Sequence, residues 1–521
     1  MAYQRANGED PLALDQIQGD VLVGLQKDFE RFVGFEILDV GEFKKFLMAL
    51  VPLLTTAEKA LEREFTIALQ KSSGIKEIFN FTGINIGFTR DGLNALGVPD
   101  LNNISDAPFK AGLAAQSASL GDPITGPGSP PQWVIGAPGQ PLHGLLLITG
   151  PTQPSVDAVF NDINALANGN WATLFDQSGK TRLEDRGHEH FGFKDGVSQP
   201  GVRGEIDTFF PAHKFLTPNQ NPGDEGQGLP GQDLLWPGEF VFGYQFQDPQ
   251  DIENPVSNGN PVLSDGGLAW MNNGTFMVFR RLRQFVPEFD KFVDDQASAL
   301  QTDPSLIGAR MVGRWKSGAP LLTAPIQDDP LLADDELLNN DFEFSEDARA
   351  RRCPYAAHIR KAYPRDEITP AGQNQPTEFD QREASEADTQ THRIIRRGIP
   401  FGDEVGDDEE RQETTLNERG LMFICYQTSI HEQFEFIIKN WVNNPAFPPS
   451  PPALGGNAGH DPILGQAGGA VRTRRFRGAV MNYPSGPRGP RITIPNDFIV
   501  PTGGGYFFVP SIDAIKTVLA I

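Results

Sequence analysis

Two α+β domains are what this sequence predicts, and three observations predict them. A strand followed directly by an amphipathic helix occurs twice before Gly169. The same pairing returns twice after Asn273. Between the two sets lies Thr217 to Gly231 (TPNQNPGDEGQGLPG), a connector too rich in Gly, Pro and polar residues to form a core element.

Asn85-Ile86-Gly87-Phe88-Thr89 reads as a short strand running into a helix over Asp91 to Leu96, closed by Gly97. Leu142 to Thr149 is an apolar strand. Pro154 to Ala167 then repeats apolar residues at helical spacing, and Asn168-Gly169 stops it. In the second half, Gly274 to Arg280 alternates as a strand and Pro287 to Leu300 reads as a helix. Leu421 to Tyr426 is a buried strand. Ile430 to Val442 follows, with Phe434, Ile437, Ile438 and Trp441 spaced along one helix face. Gly503-Gly504-Gly505 before Tyr506 to Val509 predicts a turn and then a terminal strand. The boundary falls in the connector, giving domains of 1–225 and 226–521.

The chain has 521 residues, 39% of them hydrophobic and 37 of them Phe, enough apolar mass for large cores. Sixty-eight Asp and Glu against 44 Lys and Arg give a net charge of -24. That field repels polyanions, so nucleic acid is not an expected partner; neutral or cationic aromatic molecules are. No apolar run approaches the ~20 residues of a membrane helix, so no membrane partner is expected. The start shows no signal peptide, and sequons at Asn80, Asn103 and Asn273 favour a secreted mature form only faintly, so secreted and cytoplasmic locations both fit.

Motifs remove the commoner chemistries. Cys353 and Cys425 belong to no CxxC or CxxCH pattern, which excludes a zinc ribbon, thioredoxin chemistry and covalent haem attachment. There is no GxxxxGK[ST] phosphate loop; His431-Glu432 lacks the second histidine of a zinc protease; Ser198 sits in no GxSxG elbow. Two acidic stretches, Asp328 to Asp347 and Asp403 to Glu410, read as solvated surface loops.

Three segments remain that purely structural sequence does not require. Gly192-Phe193-Lys194-Asp195-Gly196, inside HEHFGFKDGVSQPG, has glycines that let backbone approach a flat ligand and free the Asp195 carboxylate. In Cys353 to Arg365 (CPYAAHIRKAYPR), His358 follows two small alanines that leave room for a macrocycle. Arg360 and Arg365 carry the planar donor forks that suit propionate carboxylates. Ile394 to Gly402 (IIRRGIPFG) places two guanidinium groups at a strand end.

Together, in this order, these segments resemble the dye-decolorizing peroxidase family, in the long form of its fungal branch. The GxxDG, CPxAAHIRKxxPR and RRGIPFG blocks carry the resemblance. It extends through LDQIQGDVLVGLQK, NIGFTRDGLNALG, PGEFVFGYQ, NGTFMVFRRL, GRWKSGAPL and GLMFICYQ, from about residue 15 to about residue 445.

The resemblance implies two ferredoxin-like domains with antiparallel β-sheets, of the dimeric α+β barrel type, and one haem b per chain bound within. The first domain would carry GxxDG, and the second the proximal histidine and distal arginine. His358 would be the axial ligand of the haem iron, hydrogen-bonded from its far nitrogen by Glu432, Glu435 or Asp461. Asp195 would move the peroxide proton, at acidic pH as well, since a free carboxyl titrates near ~3.9. Arg396, with Arg397 as the fallback, would stabilise charge on the leaving oxygen. Gly192, Phe193, Leu421 and Phe423 would line the cofactor pocket, and Arg365 would stand at the haem edge.

The implied reaction reduces hydrogen peroxide and oxidises dyes, phenols and other aromatic reductants through an oxyferryl intermediate. Mn²⁺ is a further candidate reductant at the Asp328 to Asp347 carboxylates. Phe401 stands where the family often has tyrosine, which puts a radical route at that position in doubt. Trp441, Trp315, Tyr363 and Tyr506 are the remaining relay candidates. Two other readings compete: a non-enzymatic haem carrier or store, which needs neither Asp195 nor Arg396, and a thiolate haem sensor ligated through Cys353.

Overall fold

The computed structural model describes residues 11–74, 80–204, 206, 216–218, 226–256, 268–449, 457–468, 472–477 and 491–521. The predicted boundary at residue 225 lies outside those residues. The first half runs β1 (Phe29–Ile37), α1 (Val40–Leu50), α2 (Ala57–Ser72), β2 (Gly83–Phe88), β3 (Gly144–Gly150), α3 (Gln153–Ala167) and β4 (Trp171–Lys180). The second runs β5 (Thr275–Gln284), α4 (Val286–Leu300), α5 (Pro304–Val312), α6 (His358–Ala362), α7 (Glu378–Gln390), β6 (Ile395–Arg396), β7 (Ile399–Phe401), β8 (Gly420–Gln427) and β9 (Ile499–Val509).

Local chemistry sets these limits. Thr152 and Ser155 form a reciprocal capping box at the start of α3, Pro154 sits in its first turn, and left-handed Asn168 (φ 48°) ends it. The strand and helix expected from Leu142 and Pro154 onward are therefore both present, as are β2, β5, α4 and β8.

Nine strands form one antiparallel sheet in the order β6-β8-β5-β9-β2-β3-β1-β4, with β7 also on β8. Each half is a β-α-β-β-α-β unit whose strands lie in the order 2-3-1-4, the ferredoxin-like arrangement. The units join where Phe508 of β9 pairs with Phe88 of β2. At the other ends, β4 approaches β7 so closely that a Cβ on Gly179 would stand 2.6 Å from Ile399 Cγ2 and 2.8 Å from the Pro400 carbonyl oxygen. The sheet has curled until its two edges meet.

Strand alternation then gives the molecule two apolar layers. Phe32, Leu147, Phe279, Ile424 and Phe507 point inward and pack together. Their neighbours Val33, Leu146, Val278, Cys425 and Phe508 point outward into a second core.

Two expectations change. Gly503 to Gly505 lie inside β9 rather than in a turn before it; a Cβ on Gly504 would come within 2.2 Å of the Phe279 carbonyl oxygen, and the register shifts between Pro501 and Gly504. Residues 430–442 form two π-helical segments, Ile430–Glu435 and Ile437–Val442, whose wider turn spreads the expected single face.

Replacing Gly179 with Val should weaken the β4–β7 closure and destabilise the fold by about 1–3 kcal/mol. Guanidinium denaturation of the two proteins measures it; an unchanged midpoint would show that the edges yield without cost.

Candidate active site

The outward face of the second unit carries the site. On β5 and β8 the pairs Leu282–Leu421 and Arg280–Phe423 lie side by side. All four line a cavity of about 270 Å³. Residues 304–390, inserted between α4 and β6, cover this face and bring His358 to the same cavity; Phe434, Ile437 and Ile438 of the π-helical segments add apolar wall.

His358 opens α6. Its Nδ1 meets Asp461 Oδ2 at 2.7 Å, and the rest of the ring borders the void, leaving the side chain 27% exposed. Asp461 is wholly buried, and its other oxygen accepts the N–H groups of Ile463 (2.8 Å) and Leu464 (2.9 Å). Burial opposes charge on His358, but Asp461 outweighs it and holds the imidazole above its usual 6.5. Burial likewise opposes the Asp461 carboxylate, and His358 with the backbone N–H groups holds it below the usual 3.8. Of the three candidate carboxylates the structure selects Asp461. Glu432 is exposed, and Glu435 instead accepts from Tyr506 (2.8 Å) and Lys439 (2.6 Å).

Asp195 and Arg396 come together across 201 positions of sequence: Arg396 Nη1 donates to Asp195 Oδ1 at 2.9 Å, and both side chains line the cavity. Arg396 Nη2 donates to the Ser198 carbonyl (2.9 Å), and Gln199 bonds the Arg396 backbone through its N–H (3.2 Å) and carbonyl (2.8 Å). Consecutive residues of extended chain face opposite ways, so Arg397 turns from the cavity and donates to the carbonyls of Asp20 (3.0 Å) and Leu22 (2.8 Å). The fallback assignment is thereby excluded.

The Asp195 turn is held by a residue that sequence reasoning missed. The half-buried Glu189 carboxylate accepts the N–H groups of Phe191 and Phe193 (2.9 Å each) and the Gln284 amide, and desolvation raises its pKa. Phe289 of α4 packs against both phenyl rings, at 4.4 Å and 6.3 Å between centroids. An acid three residues before a glycine in HEHFGFKDG was the available signal.

Other expected residues divide. Phe193, Leu421, Phe423 and Arg365 line the cavity. Arg365 already donates to the carbonyls of Phe342 (2.7 Å), Asn340 (3.1 Å) and Gly231 (3.2 Å). Gly192 does not line it; a Cβ there would face Lys316 at 3.2 Å, beside a separate surface depression. Arg360 is a correction too. Two residues past His358 it points to another side of α6, fully buried and paired with Glu367 and Asp347. Sequence reasoning passed over Arg280, Arg314 and Arg393, which do line the cavity. Burial pushes Arg314 down to about 9, and Arg393 stacks on the Tyr363 ring at 3.3 Å while pairing with Asp233.

Both cysteines are free and buried, and neither borders the cavity. Burial pushes Cys353 up to about 12, far from the thiolate that ligation requires. Trp441, Trp315 and Tyr506 are buried, as is Phe401, whose carbonyl bonds the His190 ring at 2.9 Å. Tyr363 lines the cavity with its hydroxyl on Asp233. The acidic stretches are not wholly solvated: Asp347 accepts the N–H groups of Arg351, Arg352 and Cys353, and Glu409 pairs with Arg419. Among the described residues no group of three or more His, Cys, Asp or Glu is placed to hold a metal ion, and no helix is long and apolar enough to cross a membrane.

Two family models match this chain: the DyP dimeric alpha+beta barrel domain over residues 16–183, and the C-terminal part of Dyp-type peroxidases over 246–446. The chain belongs to the dye-decolorizing peroxidase family. It is 35% identical to Peroxidase 2 of Mycetinis scorodonius, over 98% of this chain and 88% of that protein. It is 33% identical to Dye-decolorizing peroxidase AauDyP1 of Auricularia auricula-judae, over 97% and 86%. A solved structure of an ancestral D-type dye decolorizing peroxidase superposes with a TM-score of 0.79 at 36% identity, covering 98% of this chain and 100% of that one. A dye-decolorizing peroxidase in complex with 2,6-dimethoxyphenol superposes with 0.73 at 32%, over 98% and 100%. The protein is a peroxidase of the fungal branch, and the non-enzymatic carrier reading falls.

The His358–Asp461 pair gives the ligand-free peroxidase a pH signature. A raised His358 contributes stability below 6.5 that is lost as pH rises through its folded pKa. A depressed Asp461 contributes stability above 3.8 that is lost as pH falls through its folded pKa. Wild type should therefore exceed Asp461→Asn most near pH 5–6, with a narrowing gap toward pH 9 and toward pH 3, by denaturant midpoints. A pH-independent gap would show that the pair is not ionised.

Proposed function

We propose that this peroxidase holds haem b through His358, cleaves hydrogen peroxide with Asp195 and Arg396, and oxidises aromatic dyes and phenols. One observation carries the reading: a carboxylate-oriented imidazole and an Asp–Arg pair share one largely apolar cavity.

The residues present fit haem b. Asp461 occupies Nδ1 of His358 and leaves the Nε2 edge for a metal, as a carboxylate-oriented ligand requires. Leu282, Leu421, Phe423, Ile437 and Ile438 supply apolar surface for a macrocycle, and Arg314, Arg365 and Arg393 supply cationic partners for its carboxylates. Bound there, haem supplies the iron that exchanges electrons with peroxide and then with the reductant.

The protein's own groups handle the proton and the charge. The Asp195 carboxylate would take a proton from one peroxide oxygen and return it to the other, which leaves as water with the electrons that bound haem would supply. Arg396 holds Asp195 in place and stabilises negative charge on the departing oxygen; because it is already bonded to Ser198 and Gln199, it needs no reorganisation. The apolar walls keep bulk water from competing. A relative bound to 2,6-dimethoxyphenol and relatives named for dye decolorization support phenols and dyes as reductants. Mn²⁺ has no comparable support among the described carboxylates.

Three variants test this. His358→Ala should purify without the haem absorption band; normal haem content would place the ligand elsewhere. Asp195→Asn should keep haem and lose about 10²–10⁴-fold in the rate of reaction with peroxide by stopped flow. Arg396→Ala should lose about 10²–10³-fold in the same measurement. A near-normal rate in either would remove that residue from the cleavage step.

A further inference from the structure

Lys361 stands three residues after His358 on α6 and is wholly buried. Its Nζ donates to the carbonyls of Asn444 (2.7 Å), Phe447 (2.6 Å) and Gly459 (2.7 Å). An ammonium has three hydrogens and no acceptor, so this one is saturated. Burial pushes the amine down to about 7, against the pull of Asp461. The desolvation cost of a buried cation is offset here by three carbonyl dipoles.

What it orders is the approach of Asp461 to His358. Residues three apart on a helix share a face, so Lys361 and His358 project from α6 as one unit. Gly459, at one end of the clamp, lies two residues before Asp461. Asn444 and Phe447 follow the π-helical segment that ends at Val442, whose carbonyl accepts the Asp461 N–H at 3.1 Å. Gly459 N–H donates to the Pro445 carbonyl at 2.9 Å, closing the same loop. From the far side, Arg474 donates to the carbonyls of Asp461 (3.2 Å) and Gly465 (2.6 Å). Lys361 is the part of this frame that starts from the histidine's own helix.

We propose that Lys361 is a positioning residue: its three-carbonyl clamp sets the geometry at which the Asp461 carboxylate meets His358 Nδ1, and so the donor strength of the imidazole toward haem iron. The inference rests on the haem reading above. A hydrogen bond weakens steeply as its angle opens, and a carboxylate behind a metal-bound histidine raises its basicity. A more basic imidazole favours ferric iron, so loosening the clamp raises the ferric/ferrous midpoint and loosens haem.

The test compares hemin-loaded wild type, Lys361→Met, Lys361→Gln and Asp461→Asn. Midpoints are read by spectroelectrochemistry, and hemin loss by transfer to apomyoglobin. Lys361→Met, which donates nothing, should raise the midpoint toward that of Asp461→Asn and speed hemin loss about 10-fold. Lys361→Gln, which keeps two donors, should move both in the same direction by less, and it carries the test if the methionine variant does not fold. A purely structural lysine would lower the unfolding temperature and leave both readouts unmoved. Either folded lysine variant with wild-type midpoint and hemin loss overturns the proposal, as does an unshifted Asp461→Asn. Wild type that takes up no hemin overturns the haem reading itself, and the missing absorption band distinguishes that failure from the others.

Discussion

Adjacent residues on a strand must face opposite sides of the sheet, and this molecule uses both sides at once. Because the nine strands curl until β4 meets β7, the inward side chains pack against one another and against Leu14, Ile17, Val21 and Phe240 from outside the sheet. The outward side chains of the second unit are thereby released to other work. Arg280, Leu282, Leu421 and Phe423 are outward residues, and so is Arg396 beside Cys425. The same alternation sends Arg397 to the short helix Gly19–Leu22, where it donates to the carbonyls of Asp20 and Leu22. One periodicity therefore decides which arginine reaches the cavity.

The second unit pays for its site with an insertion. A ferredoxin-like unit offers one face of its sheet to two helices, and that leaves no enclosed space for a large ligand. Residues 304–390 interrupt the unit between α4 and β6 and roof the outward face, and α6 lies within that roof. The first unit contributes the turn after β4 that carries Glu189, Phe193 and Asp195, together with Leu120 and Asp122 from the connection between β2 and β3. The cavity thus needs both halves and cannot be assigned to either domain alone.

Charge is buried here in closed sets. His358 answers Asp461, Arg360 answers Glu367, Arg280 answers Asp122 and Arg419 answers Glu409. A buried charge without a partner is the costly case, and a paired one fixes the geometry of both members. His358 and Asp461 are oriented against each other in this way; the more exposed Arg396, beside Asp195, is fixed instead by its bonds to Ser198 and Gln199. Lys361 extends the pattern with carbonyl dipoles in place of a carboxylate.

Much of this was legible in the sequence, because it is encoded locally. Apolar alternation and helical spacing marked β2, β3, β5, β8, α3 and α4, and Asn168 and Gly97 marked ends, since end signals act over three or four residues. The blocks around Asp195, His358 and Arg396 were legible because each departs from what a core needs. Tertiary structure alone decided the rest. It chose Asp461 over Glu432 and Glu435 and sent Arg360 to Glu367 rather than the cavity. It drew Arg280, Arg314 and Arg393 to the cavity, and it placed three glycines inside β9. These outcomes depend on which side chains come within hydrogen-bond reach once the sheet has closed, and no local pattern records that distance.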